Sequence, residues 1–349
     1  MAVVKADGYG HGAVPAARTA LAAGADALAV ARMHEGRRLR DAGISAPILV
    51  MGPAPPEQTA ELAAAELVAT VTSAESAEAL STAARSMGER IPVHVKVDTG
   101  MGRLGLPAFP RPEAARAATT AIGKIARLPG LSLEGVFTHF AAADSADLSF
   151  ARRQLDRFRT LLESLRTGGL EFPFRHAANS AAILTMPEAH LDMVRPGISL
   201  YGFQPSDEVD PTRVRLRPAM TLKTRILHLK RVPADFPVSY GMTYRTPKPT
   251  ILATVAIGYA DGLDRRLSSR GRMLLHGKRV PIAGRVCMDL TVLDAGEVPE
   301  AAVGDSVTVF GGDAPNTVSA EEIAALTGTI HYEVVSAITA RVARVYRPA

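Results

Sequence analysis

Short apolar runs alternate with alanine-rich amphipathic stretches through the first two thirds of the chain. The runs lie at 2–6 (AVVKA), 27–31 (ALAVA), 47–51 (PILVM), 68–72 (VATVT), 92–98 (PVHVKVD), 133–140 (LEGVFTHF), 174–180 (FRHAANS) and 192–198 (DMVRPGI). The stretches between them, such as 12–23, 33–41, 73–87 and 150–165, carry helical spacing and good helix formers. Strand–helix alternation predicts a parallel sheet, and eight such runs predict a closed, TIM-like (β/α)8 barrel. An open doubly wound sheet is the alternative. It calls for a Gly-x-Gly-x-x-Gly turn after an early strand, and none stands there.

The texture changes after about residue 213. Runs at 220–232, 250–258, 279–286 and 306–310 are rich in β formers, and Gly and Pro turns separate them. One short helix is expected at 319–326, where Ser319 precedes Glu322 by three residues as in a capping box. The chain is thus divided into a barrel at 1–213 and a mostly β domain at 214–349.

Composition narrows the function classes. Hydrophobic residues make up 47% and charged residues 21% of the 349, which excludes a mainly disordered chain. No apolar run approaches the roughly 20 residues that span a bilayer, so no membrane partner is expected. The first residues lack the basic and apolar regions of a signal peptide. The single cysteine, Cys287, excludes an intrachain disulfide and paired-cysteine zinc motifs, and fits a cytoplasmic protein. The net charge of +5 comes from scattered basic residues without a basic tail or stripe, so nucleic acid is not an expected partner. Solvated helix faces account for it, and so does an anionic small ligand.

Polar groups gather where the predicted strands end: Lys5, Arg103 just past Asp98, His139, Asn179 with Ser180, and Arg195. Carboxyl ends of barrel strands are where such folds place their catalytic groups. A buried Lys5 would be a neutral, nucleophilic amine able to form a Schiff base. A lysine at a strand end that reaches solvent is the other reading, and the residue alone does not decide.

The segment around Lys5 (Val-Val-Lys-Ala-Asp-Gly-Tyr-Gly-His-Gly) resembles the pyridoxal-phosphate lysine motif of alanine racemases. Further matches follow in order: Lys96-Val97-Asp98-Thr99-Gly100-Met101-Gly102-Arg103, Thr138-His139-Phe140, Ala178-Asn179-Ser180, Val194-Arg195-Pro196-Gly197-Ile198, Ser239-Tyr240-Gly241, Gly258-Tyr259-Ala260-Asp261, Cys287-Met288-Asp289 and Tyr332-Glu333-Val334. Each is weak alone, but the ordered set covers the whole chain.

The resemblance implies a pyridoxal 5'-phosphate (PLP) barrel followed by a β domain, and an isomerase that interconverts L- and D-alanine for peptidoglycan. It makes Lys5 the Schiff-base lysine. Tyr9, Ser180, the backbone at Gly197 and Ile198, and Tyr332 would hold the phosphate. Arg195 would face the pyridine nitrogen and keep it an acceptor, which weakens the electron sink. Arg103 would reach the substrate carboxylate. Lys96 stands where the family often carries a carbamylated lysine, whose charge would attract Arg103 instead of repelling it. Two bases on opposite faces of Cα are implied, Lys5 and Tyr240 of the partner subunit, with His139 and Arg195 as a relay. The active unit is then a homodimer with shared sites. Met288 would offer its backbone N–H to the substrate carboxylate. Tyr259 and Asp289 would line the entrance, and Asn179 would support the cofactor site. No catalytic metal is expected.

Two departures stand out. The family carries roughly thirty residues ahead of the lysine, about one βα unit. Here Lys5 is nearly the first residue, which predicts a missing covering element, an exposed apolar stripe and an open sheet edge in the second domain. Gly8 stands where alanine is usual. Three rival functions follow from the same residues: a racemase for serine or a broader range of amino acids, a non-catalytic PLP-homeostasis protein, and a cofactor-free Schiff-base aldolase.

Overall fold

The computed structural model describes residues 1–312 and 315–347. It divides into two compact units. One holds Met1–Gly8 and Gly12–Leu216; the other holds Tyr9–His11 and the described chain from Arg217 onward.

The first unit is a parallel barrel. Its strands are β1 (Ala2–Val3), β2 (Leu28–Val30), β3 (Ile48–Pro53), β4 (Val68–Val71), β5 (Ile91–Asp98), a short β6 (Leu106–Pro107) beside β5, β7 (Leu131–Phe137) and β8 (Phe174–His176). The barrel order is β1-β2-β3-β4-β5-β7-β8, and every pair is parallel. β1, β2 and β4 are short runs of Val, Leu, Ala and Thr that are buried throughout, as a sheet covered by helices requires. The covering helices show why their sequences are helical. In Ser149–Thr167 the buried residues are Ala151, Gln154, Leu155, Phe158, Leu161 and Leu165, one stripe at helical spacing. Ala74–Ser86 begins at Ser73, whose hydroxyl accepts from the Ser76 N–H at 3.1 Å.

The eighth run, 192–198, does not form a regular strand. It closes the barrel through single contacts: a parallel bridge between His176 and Met193, and hydrogen bonds from Arg195 N to Ala178 O (2.9 Å) and from Val3 N to Pro196 O (3.0 Å). Pro196 has no N–H to donate, so a ladder cannot continue through it. The first run is also shorter than predicted. β1 ends at Val3, and Lys5 opens a turn in which Ala6, Asp7, Gly8 and Tyr9 all have positive φ.

The second unit is antiparallel. Its strands are β9 (Leu222–Val232), β10 (Pro237–Val238), β11 (Tyr244–Arg245), β12 (Thr250–Val255), β13 (Arg272–Leu275), β14 (Lys278–Pro281), β15 (Thr291–Asp294) and β16 (Ser306–Phe310). Six of them follow the order β14-β13-β16-β9-β12-β15, while β10 pairs with β11. A bridge between Ile282 and Leu293 joins the two ends of the six-stranded path, so the open edge expected there is absent from it. Val307, Leu275, Met273, Ala253, Val255 and Leu293 are buried within this unit. The expected helix is present at Ala320–Thr327, with the Ser319 hydroxyl accepting from Glu322 N at 3.1 Å. A second helix, His331–Ser336, was not evident from the periodicity.

One glycine in the barrel wall is set by close packing. A Cβ at Gly135 of β7 would meet the His94 ring at 2.6 Å. His94 is buried and hydrogen-bonded, so it cannot simply swing away. Gly135→Ala should destabilise the chain by about 1–3 kcal/mol, as overpacking does. A denaturant midpoint equal to that of the unaltered chain would contradict this.

Candidate active site

The carboxyl ends of the barrel strands converge on one buried guanidinium. Arg195 is 3% exposed. Its Nη1 meets His176 Nδ1 at 2.8 Å. Its Nη2 donates to Thr138 O (2.8 Å) and Ala177 O (2.9 Å) and meets His139 Nδ1 at 3.3 Å. No carboxylate takes part. Burial pushes the Arg195 pKa down to about 9, which still leaves a cation at neutral pH.

A donor-only arginine dictates the imidazole tautomers around it. His176 accepts at Nδ1, so its proton sits on Nε2, which then donates to His94 Nδ1 at 2.8 Å. His94 accepts there and carries its proton on Nε2. Nη2 has two hydrogens for three acceptors, so His139 Nδ1 at 3.3 Å shares one of them; facing a donor-only group it carries no proton itself, which leaves one on Nε2. Burial first, then the Arg195 charge, holds all three rings neutral: His94 falls to about 4, and His139 and His176 fall well below the ordinary histidine value. The Phe137 ring lies parallel to His176, centroids 4.8 Å apart, and the Arg195 guanidinium carbon lies 5.4 Å from its centre.

Three more cations share this end of the barrel. Lys5 and Lys96 are both mostly buried, and desolvation is the largest cause that lowers each amine's pKa. The Arg103 charge lowers both further, and Lys96 reaches about 8. The Lys96 Nζ lies 5.3 Å from the centre of the Phe137 ring. Arg103 itself is exposed. It follows a turn fixed by Asp98, whose Oδ1 accepts from the N–H groups of Gly100 (2.9 Å), Met101 (2.8 Å) and Gly102 (3.2 Å). Three amides on one oxygen hold this loop in a single shape.

Beside them lies a small cradle of donors. The Ser180 hydroxyl oxygen accepts from Gly197 N (2.8 Å) and Ser199 N (3.3 Å). The Ser199 Oγ is buried without a hydrogen-bond partner. Asn179 starts the helix Ser180–Thr185, its Oδ1 accepting from Ala182 N at 3.0 Å.

In the second unit, Tyr9 and Tyr332 face one another with ring centroids 6.3 Å apart. Burial pushes the Tyr9 phenol up to about 12, so it remains a hydrogen-bond donor. The other predicted residues sit on turns that are bonded to one another. Tyr259 N donates to Cys287 O and Ala260 N to Met288 O, each at 3.0 Å, and Ser239 Oγ donates to Arg285 O at 2.6 Å. A Cβ at Gly258 would meet Met288 O at 2.2 Å, which is why glycine stands there. These turns present Tyr240 (69% exposed), Met288 (52%) and Tyr259 (42%) to the surface. Asp289 is tied to Arg341 Nη2 at 2.7 Å.

Several partners in the site were not evident from the sequence: His94, His176, Asp98 as a loop cap, Ser199, and Glu35, whose carboxylate binds the amide after Lys5. His94 had a signal. It stands two residues before Lys96 in an apolar strand, and that spacing puts both on one face. Glu35 had none, because its contacts join segments that only the fold brings together.

The histidine triplet makes stability depend on acid. In the unfolded chain His94 titrates near 6.5, and in the folded chain near 4. Its contribution is therefore complete above about 6.5 and is lost as pH falls toward 4. His139 and His176 act in the same direction. The urea midpoint should fall steadily across that window; a flat profile would contradict neutral buried imidazoles.

Comparison with known proteins agrees with this arrangement. The family model described as "Alanine racemase, N-terminal domain" matches residues 1–205, and the one described as "Alanine racemase, C-terminal domain" matches residues 219–346. The alanine racemase of Desulfosudis oleivorans is 55% identical over 350 residues, covering 99% of this chain and 89% of that protein. The solved alanine racemase from the D-cycloserine producer Streptomyces lavendulae superposes with a TM-score of 0.93 at 40% identity, covering 100% of this chain and 90% of that one. That of Clostridium difficile 630 gives 0.91 at 40% identity, with 98% and 87% covered. With both domains matched in order by residues that build one polar barrel mouth and one set of linked turns, the chain belongs to the alanine racemase family.

Proposed function

We propose that this chain is a PLP-dependent isomerase that interconverts L- and D-alanine, using Lys5 and Tyr240 of the partner subunit as its two bases. The observation that carries this reading is the mostly buried Lys5 amine beside Arg103 and Lys96, at the carboxyl ends of the strands of a barrel belonging to this family.

The residues present fit the cofactor. Ser199 Oγ is a buried hydroxyl with no partner beside a serine that already gathers two amides, which suits a phosphate. Ser180, the backbone at Gly197 and Ile198, Tyr9 and Tyr332 would hold that phosphate, and Tyr9 is kept protonated for it. Arg195 would donate to the ring nitrogen. When bound, PLP supplies an aldehyde that condenses with amines and a ring that withdraws charge from the substrate Cα.

The chain's own groups supply the rest. The Lys5 amine, with its pKa lowered by burial, takes or returns the Cα proton on one face. Tyr240 of the partner subunit exchanges a proton on the other face, so neither base must cross the molecule. The neutral His139, its Nε2–H free to donate by the tautomer argument, links Arg195 to this proton path. Arg103 and the Met288 N–H orient the substrate carboxylate, while Tyr259 and Asp289 border the entrance. Tyr240, Tyr259 and Met288 form an apolar, aromatic surface on linked turns, which supports a homodimer as the working unit. The division of labour at 213/214, a cofactor barrel and a β domain, belongs to this proposal, as do the cytoplasmic setting and the supply of D-alanine to peptidoglycan. No helix among the described residues is long and apolar enough to cross a membrane. The match to the second family domain favours the racemase over a barrel-only homeostasis protein.

L-Alanine incubated with the cofactor-loaded chain in deuterium oxide should yield D-alanine and α-deuterium in both enantiomers, with the same assay run on serine and other amino acids. No D-alanine would overturn the reading. Tyr240→Phe should lower turnover by roughly 10²–10⁴-fold, while borohydride trapping still marks Lys5.

Lys96 is proposed to be carbamylated. A pKa near 8 gives it the neutral amine that adds carbon dioxide, and the product would attract Arg103. Intact mass in bicarbonate at pH 8, without acid, should show a carbamate-sized addition that Lys96→Arg abolishes. Identical masses for the two chains, after allowing for the substitution, would refute it.

A further inference from the structure

The turn behind Lys5 is strained. Ala6 (φ 52°, ψ 50°), Asp7 (51°, 47°), Gly8 (64°, 44°) and Tyr9 (φ 52°) follow one another in the left-handed region. Only one of the four is glycine, and each of the others costs about 1–2 kcal/mol in that conformation. Such a turn persists only when its surroundings hold it. Gly8 N donates to Val4 O (2.9 Å), and Gly12 N to Asp7 O (2.7 Å). The Asp7 carboxylate accepts from Ala13 N (3.0 Å) and from Arg38 Nη1 (2.8 Å).

A further contact comes from the chain leaving β2. Glu35 Oε1 accepts from Ala6 N, the amide that follows Lys5, at 2.7 Å. Its Oε2 accepts from Ala31 N (2.7 Å) and Arg32 N (3.0 Å), just past the end of β2. One carboxylate therefore ties together the chain leaving β1 and the chain leaving β2. Its charge acts on the Lys5 amine. The groups that act on the lysine from the other staves are Arg103, Lys96 and the neutral His139, and Glu35 acts on it with the opposite sign.

We propose that Glu35 is a positioning residue for Lys5: it anchors the strained turn behind the lysine and counters the cations that face its amine. The assignment rests on Lys5 being the working base. Both roles belong to one carboxylate, which binds the amide after the lysine and acts on the lysine's amine. A glutamine at 35 keeps an acceptor for Ala6 N but loses the charge.

The test is the pH dependence of Lys5 acetylation in the full chain freed of cofactor, read by peptide mass spectrometry after brief exposure to acetic anhydride. The neutral Nζ attacks the anhydride carbonyl, acetate leaves, and the proton goes to solvent. In Glu35→Gln the Lys5 midpoint should move to lower pH, with labelling at neutral pH roughly two- to fivefold faster, as loss of a partly buried, partly screened charge interaction would give. Exposed Lys124 and Lys223 should not change. Should the glutamine variant fail to fold, Glu35→Asp serves, because its shorter arm withdraws the charge and moves the midpoint the same way by less. An unchanged Lys5 midpoint in the folded variant would overturn the assignment. Labelling needs neither cofactor nor substrate, so failure to racemise alanine would not alter this outcome.

Discussion

Arg195 gives its hydrogens to two imidazoles and two carbonyls and to no carboxylate, at the centre of a barrel that admits almost no water to it. A buried cation is tolerated only where its donors are met, and here every acceptor is neutral. That choice propagates. The rings must be neutral to accept, their tautomers are then fixed, and the Arg195 charge adds to burial and to Arg103 in lowering the neighbouring Lys96 amine. A carboxylate partner would have silenced the field. Its absence leaves the site cationic and receptive to anions.

The alternation of apolar runs and amphipathic stretches made the barrel legible, because period and length are properties of each segment alone. What escaped was set by contacts between segments. The run at 192–198 has strand composition, yet Pro196 and the turn that follows reduce it to a bridge and a few hydrogen bonds. β13 and β15 are four residues each and carried too little pattern to stand out. The left-handed turn after Lys5 was invisible too, since Ala6 and Tyr9 are not residues that signal positive φ.

The site shows the same division. Lys5, Arg103, His139, Asn179, Ser180 and Arg195 stood out as polar residues where core strands need none, and all lie at the barrel mouth. Their supporting partners did not. His176 lies within the strand-like run at 174–180, and only Arg195 beside it reveals its use. On the second unit, Tyr240, Tyr259 and Met288 owed their selection to the family resemblance. The structure adds that their turns hydrogen-bond to one another and leave the side chains bare.

The last stave has a consequence for how the barrel softens. Where other neighbours share a ladder, 193–196 is stitched to β1 and β8 by isolated bonds, so this seam is the cheapest place to part. Lys5 follows one lip of the seam and Arg195 sits on the other. On warming, the spacing between amine and guanidinium would loosen before the rest of the wall gives way.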